Sequence, residues 1–160
     1  MTDAERLPPP DASFDAVVVE CALCTFPDKP AAVSEIARVL RAGGKLGLTE
    51  ALAETDRLPA EFTTLTAHVA CITDALPIYA YAALVEAAGL SVTRTERHDT
   101  AIMRMIDQIE ARLTLVRLTA PAQMEALGLD IHRTGPSLAG ARAAVDDGIL
   151  GYGLLVAQKP

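Results

Sequence analysis

The three cysteines of the sequence, Cys21, Cys24 and Cys71, are the side chains with the widest choice of chemistry. Cys21 and Cys24 have the C-x-x-C spacing of thiol–disulfide exchange motifs and of one half of a zinc site. A redox motif of this kind opens a helix, whereas Cys21 follows an apolar strand-like run, and a zinc site needs a second pair. The alternative is that the cysteines pack as small apolar side chains. The spacing alone therefore assigns them no role, and no metal site is expected.

A second pair of candidate residues follows the first predicted strand. Glu20 and Cys21 come directly after Ala16–Val19, an unbroken apolar run that is typical of a strand buried on both faces. Ligands of open α/β sheets bind beyond the carboxyl ends of the strands. We therefore expect Glu20 and Cys21 to line a ligand site, the alternative being a loop acid and a buried thiol.

This strand opens a strand–helix–strand unit. Asp28 can cap a helix whose second residue is Pro30. The apolar positions of that helix recur at i, i+3, i+4 and i+7, and they are Val33, Ile36, Ala37 and Leu40. Gly43 and Gly44 are expected to end the helix before a second strand begins at residues 45–49. This order predicts a right-handed parallel βαβ unit.

The remaining chain continues the α/β pattern. Pro77 opens a helix that Gly89 ends, and residues 90–97 alternate like a strand with one solvent-facing side. A long amphipathic helix is defined by Ile102, Met105, Ile106, Ile109, Leu113 and Val116. Further predicted elements are a helix starting near Leu58, helices over residues 121–127 and 137–147, and a last strand over residues 152–158. Tyr152 lies between two glycines and is expected to pack at a tight bend.

Length and composition limit the class of protein. The 160 residues, 51% of them hydrophobic, predict a single domain over residues 1–160 with a substantial core. The net charge of −7 argues against nucleic acid or an anionic membrane as the main partner. An odd number of cysteines, without a signal peptide or a long apolar span, predicts a cytoplasmic protein with reduced thiols.

The segment from Asp3 to Glu50 resembles the middle of a class I methyltransferase that uses S-adenosylmethionine. The family's DAxxLPF segment, SFD strand and RVLKPGG helix end are matched here by DAERLPP, by SFD, and by RVLRAGG. The resemblance closely covers the first third of the chain. It implies the last four strands of a Rossmann-like methyltransferase sheet, mostly parallel with a final antiparallel strand, and flanking helices.

The resemblance also implies a cofactor site. Asp3 would accept a hydrogen bond from the adenine amino group of S-adenosylmethionine, and the Ala4 backbone would read the ring edge. Glu20 and Cys21, which follow the first strand, would also line the cofactor site, at the carboxyl ends of the strands. The alternative for Asp3 is an N-terminal tail without a role.

One family feature has no counterpart, because no GxGxxG-like stretch occurs in the sequence. The expectation is a truncated or split methyltransferase-like domain in which Ala16–Val19 forms a sheet edge. Apolar edge strands with unpaired backbone groups are seldom left bare. We expect this edge to pair with a second copy across a two-fold axis, or with a separate chain that supplies the missing strands.

Two segments also resemble arsenite methyltransferases. ECALCTFPDK is similar to their NCVxNLxPDK segment, and CITDALPIYAYAALVEAAGL to their CIxGAxxxxxYxxLLxxAGF segment, although Asp74 replaces the glycine. Cys21 and Cys71 stand at the matching cysteines. The resemblance implies that these two thiolates, which are soft ligands, would hold a soft trivalent arsenic.

The predicted function is methyl transfer from S-adenosylmethionine to a small molecule, with arsenite as one candidate acceptor. Such a transfer depends mainly on alignment of the reacting atoms, and no catalytic acid or base is assigned. The alternative is a non-catalytic dimeric remnant or an interaction module that pairs through its strand edge.

Overall fold

The computed structural model describes residues 3–58, 72, 74–119 and 131–160 of the chain. Its elements are β1 (Phe14–Glu20), α1 (Lys29–Val39), β2 (Leu40–Ala53), α2 (Ile78–Ala87), β3 (Ser91–Arg97), α3 (Asp99–Thr119), α4 (Ile131–Asp146) and β4 (Leu150–Gln158). Short 3-10 turns occupy Leu23–Thr25 and Thr55–Arg57. The helices predicted after Leu58 and over residues 121–127, together with Cys71, lie outside the described residues. Among the described residues, no helix is both long and apolar enough to cross a bilayer.

The four described strands form one mixed sheet in the order β1-β2-β4-β3. β1 and β2 are parallel, whereas β4 is antiparallel to both of its neighbours, β2 and β3. Three strands therefore run in one direction, and the last strand is inserted between two of them in the opposite direction. This confirms the predicted α/β fold with a mostly parallel sheet and a final antiparallel strand.

The βαβ unit forms largely as predicted. Asp28 caps α1 by accepting a hydrogen bond from the Ala31 N–H at 2.9 Å, and Pro30 lies in the first turn. The prediction that Gly43 and Gly44 end this helix is wrong. α1 already ends at Val39, because the next residue has extended backbone angles (φ −71°, ψ 135°) and pairs with β1.

The two glycines instead shape the start of β2. Gly43 has a positive φ of 75°, which L side chains adopt at a cost. A Cβ on Gly44 would lie 2.8 Å from the backbone oxygen of Arg41, so a side chain has no room there. The two glycines therefore allow the backbone to pass close to itself where β2 begins.

β1 is less buried than its sequence predicts. Val19 is 9% exposed, but Val18 on the opposite face is 76% exposed, so the expectation of burial on both faces is wrong in this structure. The reason is that the face of β1 that carries Val18 is not covered, since Phe14, Ala16 and Glu20 on the same face are exposed too. β1 also lies at the edge of the described sheet, where it pairs with β2. The expected edge strand is thus present.

Apolar side chains pack on both faces of the sheet. One cluster joins the sheet to α1 and α2 and includes Val19, Ile36, Leu48, Tyr81, Val85 and Leu155. The other joins it to α3 and α4 and includes Ala51, Ala53, Ile102, Ile106, Val145 and Leu150. Each fully buried aliphatic side chain of this kind contributes about 1.5–3 kcal/mol. On α3, Ile102 and Ile106 are buried, whereas Met105 and Ile109 of the predicted stripe are 47% and 40% exposed.

Candidate functional site

The carboxyl ends of the parallel strands bring several polar residues to one edge of the sheet. β1 ends at Glu20, which pairs with Thr49 of β2. β4 runs in the opposite direction, so its first residues lie at this same edge, where Tyr152 pairs with Ala51. This is the edge at which open α/β sheets bind their ligands. Glu20, Cys21 and Tyr152 therefore meet where a ligand is expected.

Cys21 makes the turn away from the sheet. Its φ is 45°, in the left-handed region that a residue with a side chain seldom occupies outside functional or tightly constrained turns. Its N–H donates to the Thr49 carbonyl at 2.8 Å, and its thiol lies 3.6 Å from the hydroxyl of Tyr152. Burial raises the pKa of this tyrosine above its ordinary value. The thiol of Cys21 is therefore held in a defined place at the sheet edge.

The other cysteines are placed differently. Cys24 is fully buried, at 0% exposure, within the 3-10 turn, while Cys21 is half-buried. The two members of the C-x-x-C pair thus have unlike surroundings. Cys71 lies outside the described residues, so its convergence with Cys21 stays a prediction.

Glu50 is a buried acid that sequence reasoning missed. Its exposure is 1%, and its Oε1 accepts the N–H groups of Ala22 and Leu23 at 3.0 and 2.7 Å. Its Oε2 has no hydrogen-bond partner among the described residues. The usable signal was an acid at a position that shares its strand face with Leu48 and Leu52. Glu50 fixes the loop that carries Cys21.

A small cavity adjoins this carboxylate. Its lining is Leu48, Glu50, Leu52, Ile78, Tyr81, Gly153, Leu154 and Leu155. The Tyr81 hydroxyl accepts the Leu76 N–H at 3.3 Å, and burial raises the pKa of this tyrosine. The cavity is therefore apolar apart from one phenol and one carboxylate.

The expectation of a tight bend at Tyr152 is wrong, because β4 continues through it. The flanking glycines have a packing role instead. A Cβ on Gly153 would lie 2.9 Å from Leu52 Cδ1, and a Cβ on Gly151 would collide with the side chains of Arg97 and Asp99. The glycines thus allow close packing around the strand that carries Tyr152.

The N-terminal segment is held against α1 by two residues that sequence reasoning also missed. The guanidinium of Arg38 donates to Glu35 Oε1 and Oε2, both at 2.8 Å. It also donates to Asp11 Oδ1 at 2.7 Å and to the carbonyls of Leu7 and Pro9 at 2.9 and 3.0 Å. Glu35 Oε2 in turn accepts the Leu7 N–H at 2.8 Å. We call these two side chains the Glu35–Arg38 clamp.

Asp3 and Ala4 lie just ahead of this clamp. Glu5 Oε1 accepts the N–H of Asp28 at 2.7 Å, which brings the segment to the start of α1, after the Cys21 loop. Asp3 is exposed and its Oδ1 accepts the Glu5 N–H at 3.1 Å, while Ala4 is half-buried against the core. The segment is therefore bonded to the fold and is not a loose tail.

The fold and the first 48 residues are similar to those of methyltransferases. Residues 1–48 match the family described as a methyltransferase domain. The structure has a TM-score of 0.75 with a putative sarcosine dimethylglycine methyltransferase from Galdieria sulphuraria, at 20% identity, covering 98% of this chain and 57% of that chain. The chain is related to the class I methyltransferases that use S-adenosylmethionine, and its sheet is that of their fold.

Two curated relatives are longer than this chain. The 27-O-demethylrifamycin SV methyltransferase of Amycolatopsis mediterranei is 30% identical over 160 residues, which are 99% of this chain and 57% of that protein. The ubiquinone/menaquinone biosynthesis C-methyltransferase UbiE of Chromobacterium violaceum is 50% identical over 50 residues, 31% of this chain and 20% of that protein. The chain thus spans little more than half of the first relative.

The fold alone does not fix the reaction. The cyclase SpnF is 27% identical with a TM-score of 0.62, covering 99% of this chain and 54% of that chain. Its name describes a reaction other than methyl transfer. The activity of this chain must therefore be argued from its own site.

Proposed function

We propose that this chain binds S-adenosylmethionine and takes part in methyl transfer to a small molecule. The observation that supports the proposal lies in the family-matched segment, where Glu5 accepts the N–H of Asp28 at the end of the loop that follows β1 and Ala4 packs against the core. This placement supports one site in which Asp3 and Ala4 would read the adenine and the ligand-binding ends of the strands would hold the rest of the cofactor.

The residues present fit the adenine end of this cofactor. The exposed carboxylate of Asp3 is an acceptor for an exocyclic amino group, and the backbone of Ala4 offers a donor and an acceptor to a ring edge. Glu20, exposed at the end of β1, is placed to accept hydroxyl donors at the same edge. When bound, S-adenosylmethionine supplies an electrophilic methyl group. The residues of this chain contribute by orienting the two reactants.

The acceptor belongs on the side of Cys21 and Tyr152. We propose a soft nucleophile there, with arsenite as the specific candidate and Cys21 and Cys71 as its thiolate ligands. The support is the position of the Cys21 thiol at the ligand edge, close to the Tyr152 hydroxyl. Cys21 and Cys71 would hold the arsenic with its lone pair available to the methyl group that S-adenosylmethionine would supply. A lone pair carries no proton, so no general base would be needed.

The outer edge of β1 is proposed to pair with a second copy of the chain. Its support is the exposed apolar face of an edge strand, with Val18 76% and Phe14 42% exposed. A separate polypeptide that supplies the neighbouring strands is the other possible occupant. Light scattering of the purified chain distinguishes the two occupants. The mass of a dimer is expected, and the mass of a monomer would contradict self-pairing.

The function is tested by titrating the purified protein with S-adenosylmethionine in a calorimeter and then assaying methyl transfer to arsenite. Saturable binding that is weakened by Asp3→Asn and unaffected by Asp56→Asn, an exposed acid in the second 3-10 turn, is the expected result. Binding without transfer to any acceptor would favour the non-catalytic alternative. Absence of binding by the folded protein would contradict the proposal.

A further inference from the structure

The N-terminal segment has few means of holding itself in place. Pro8, Pro9 and Pro10 lack an N–H group, so this stretch offers carbonyl acceptors and few donors. In the described structure its strand-like pairing is limited to the isolated bridge between Asp3 and Arg6. A backbone bond from the Ala12 N–H to the Arg38 carbonyl, at 3.0 Å, ties the far end of the segment to α1. The residues before Ala12 are held mainly through side chains.

The side chains of the Glu35–Arg38 clamp form hydrogen bonds with the backbone of this segment. A guanidinium has five N–H donors and no acceptor, which suits a segment whose groups are mainly carbonyls. Arg38 donates hydrogen bonds to the carbonyls of Leu7 and Pro9, and Glu35 accepts one from the N–H of Leu7. The clamp thus matches both kinds of backbone group that the segment presents.

We propose that the Glu35–Arg38 clamp is a positioning device for adenine recognition, which holds residues 3–5 in the conformation that reads the purine ring. The inference rests on the proposed function and assigns to it two residues of α1 that need not touch the cofactor. Glu35 and Arg38 are therefore positioning residues and not catalytic ones.

Further hydrogen bonds lie between the clamp and the recognition residues, since the Arg6 N–H donates to the Asp3 carbonyl at 3.1 Å. Leu7 is fixed by the clamp, and Glu5, two residues earlier, is fixed by the Asp28 N–H. The Glu5 N–H in turn donates to the Asp3 carboxylate. The direction of that carboxylate thus depends on the anchor at Glu5 and on the clamped Leu7 two residues further on.

A segment that is already ordered binds more tightly, because the ligand does not have to supply the ordering free energy. Arg38 donates charge-assisted hydrogen bonds to Glu35 and holds the pKa of its carboxyl at about 2, so the Leu7 N–H has an ionised acceptor at neutral pH. Without the clamp, the recognition residues would adopt the binding conformation in only a fraction of the molecules.

The experiment compares the unaltered protein with Arg38→Ala, Arg38→Lys and Arg41→Ala. Arg41 is the matched control, because it lies three residues further on and pairs with the exposed Asp15 alone among the described residues. Affinities are measured for S-adenosylhomocysteine and for S-inosylhomocysteine, in which a carbonyl replaces the adenine amino group. Amide hydrogen exchange is measured without ligand at Leu7 and at the β2 residue Leu48.

We expect Arg38→Ala to weaken S-adenosylhomocysteine binding about tenfold and to reduce the preference for adenine over hypoxanthine. In Arg38→Ala, the amide of Leu7 should lose protection from hydrogen exchange while that of Leu48 keeps it. Arg38→Lys should have an affinity between those of the unaltered protein and Arg38→Ala, because a lysine cannot reproduce the planar fork of donors. Arg41→Ala should match the unaltered protein. A purely structural role would change protection without changing the preference between the two ligands.

The outcomes that would overturn the inference are distinct. Unchanged preference in Arg38→Ala, with binding intact, would overturn the positioning role alone. Unchanged protection at Leu7 would show that the clamp does not hold the segment. Absence of binding by the unaltered protein would overturn the proposed function and the adenine role of the clamp together, while the exchange data would still report on the clamp itself.

Discussion

Glu50 accepts a hydrogen bond from the backbone N–H of Leu23 at 2.7 Å, across 27 residues of sequence. This bond ties the loop after β1 to the neighbouring strand, and it sets where Cys21 stands at the sheet edge. A buried carboxylate thus shapes the site without facing solvent.

Replacing Glu50 should test this tie. Glu50→Ala leaves the N–H groups of Ala22 and Leu23 without their acceptor and should lower the free energy of unfolding by about 3 kcal/mol. Glu50→Gln keeps an oxygen acceptor and should cost about 1 kcal/mol or less. Urea denaturation measures both, with the exposed Glu86→Gln as control. Equal losses for the alanine and glutamine variants would contradict the role of the carboxylate oxygen.

The clamp predicts a pH dependence in the acid range. The folded-state pKa of Glu35 is lowered from 4.5 to about 2, chiefly by the hydrogen bond from Arg38. A lowered pKa means that the contribution of Glu35 is complete above pH 4.5 and is lost as the pH falls towards 2. The Leu7 amide signal in NMR spectra should follow this loss. In Glu35→Gln that transition should be absent, and its persistence would assign the effect to another acid.

Gly44 should not tolerate a side chain. Gly44→Ala places a Cβ 2.8 Å from the Arg41 carbonyl oxygen and 3.2 Å from Leu40, so the chain must shift, at a cost of about 1–3 kcal/mol. Gly47→Ala is the matched control in the same strand, because its nearest contact is Val18 Cγ2 at 4.0 Å. Thermal unfolding compares the two variants. A control as unstable as Gly44→Ala would remove the steric explanation.

Charge on the edge strand should oppose self-pairing. Val18→Lys places an ammonium on the exposed side of β1 and should shift a dimer to monomer, because an edge lysine disfavours strand addition. Leu118→Lys is the control, since Leu118 is similarly exposed, at 73%, but lies on α3. Light scattering over a concentration series gives the mass. Equal masses for the two variants would argue against an interface at β1.

Local signals in the sequence were enough to predict the βαβ unit. The Asp28 cap, the first-turn proline and the apolar stripe from Val33 onward all act within a few residues, and the structure contains the helix they predict. The exposure of Val18 could not be read from the same segment. Burial of a strand face depends on which elements cover it, and a run of valines carries no such information.

The candidate site was also predicted only in part from the sequence. Asp3, Ala4, Glu20 and Cys21 were predicted from motif resemblance and from the rule that ligands bind at strand ends, and their role stays a prediction. The role of the clamp was missed because its bonds to the N-terminal segment join residues 27 to 31 positions apart, and neither spacing nor periodicity reports such pairs. Glu50 was missed because it sits in an apolar strand, where its partners become visible only once the loop is folded over it.

The central claim is that residues 3–5 and the loop after β1 form one cofactor site. The most direct measurement is an NMR titration of the isotope-labelled protein with S-adenosylmethionine, followed through the backbone amides. We predict saturable shifts at Ala4, Glu5, Glu20 and Cys21, with the amides of α3 unchanged. Saturable shifts confined to other residues, or none at all in a folded protein, would contradict the account.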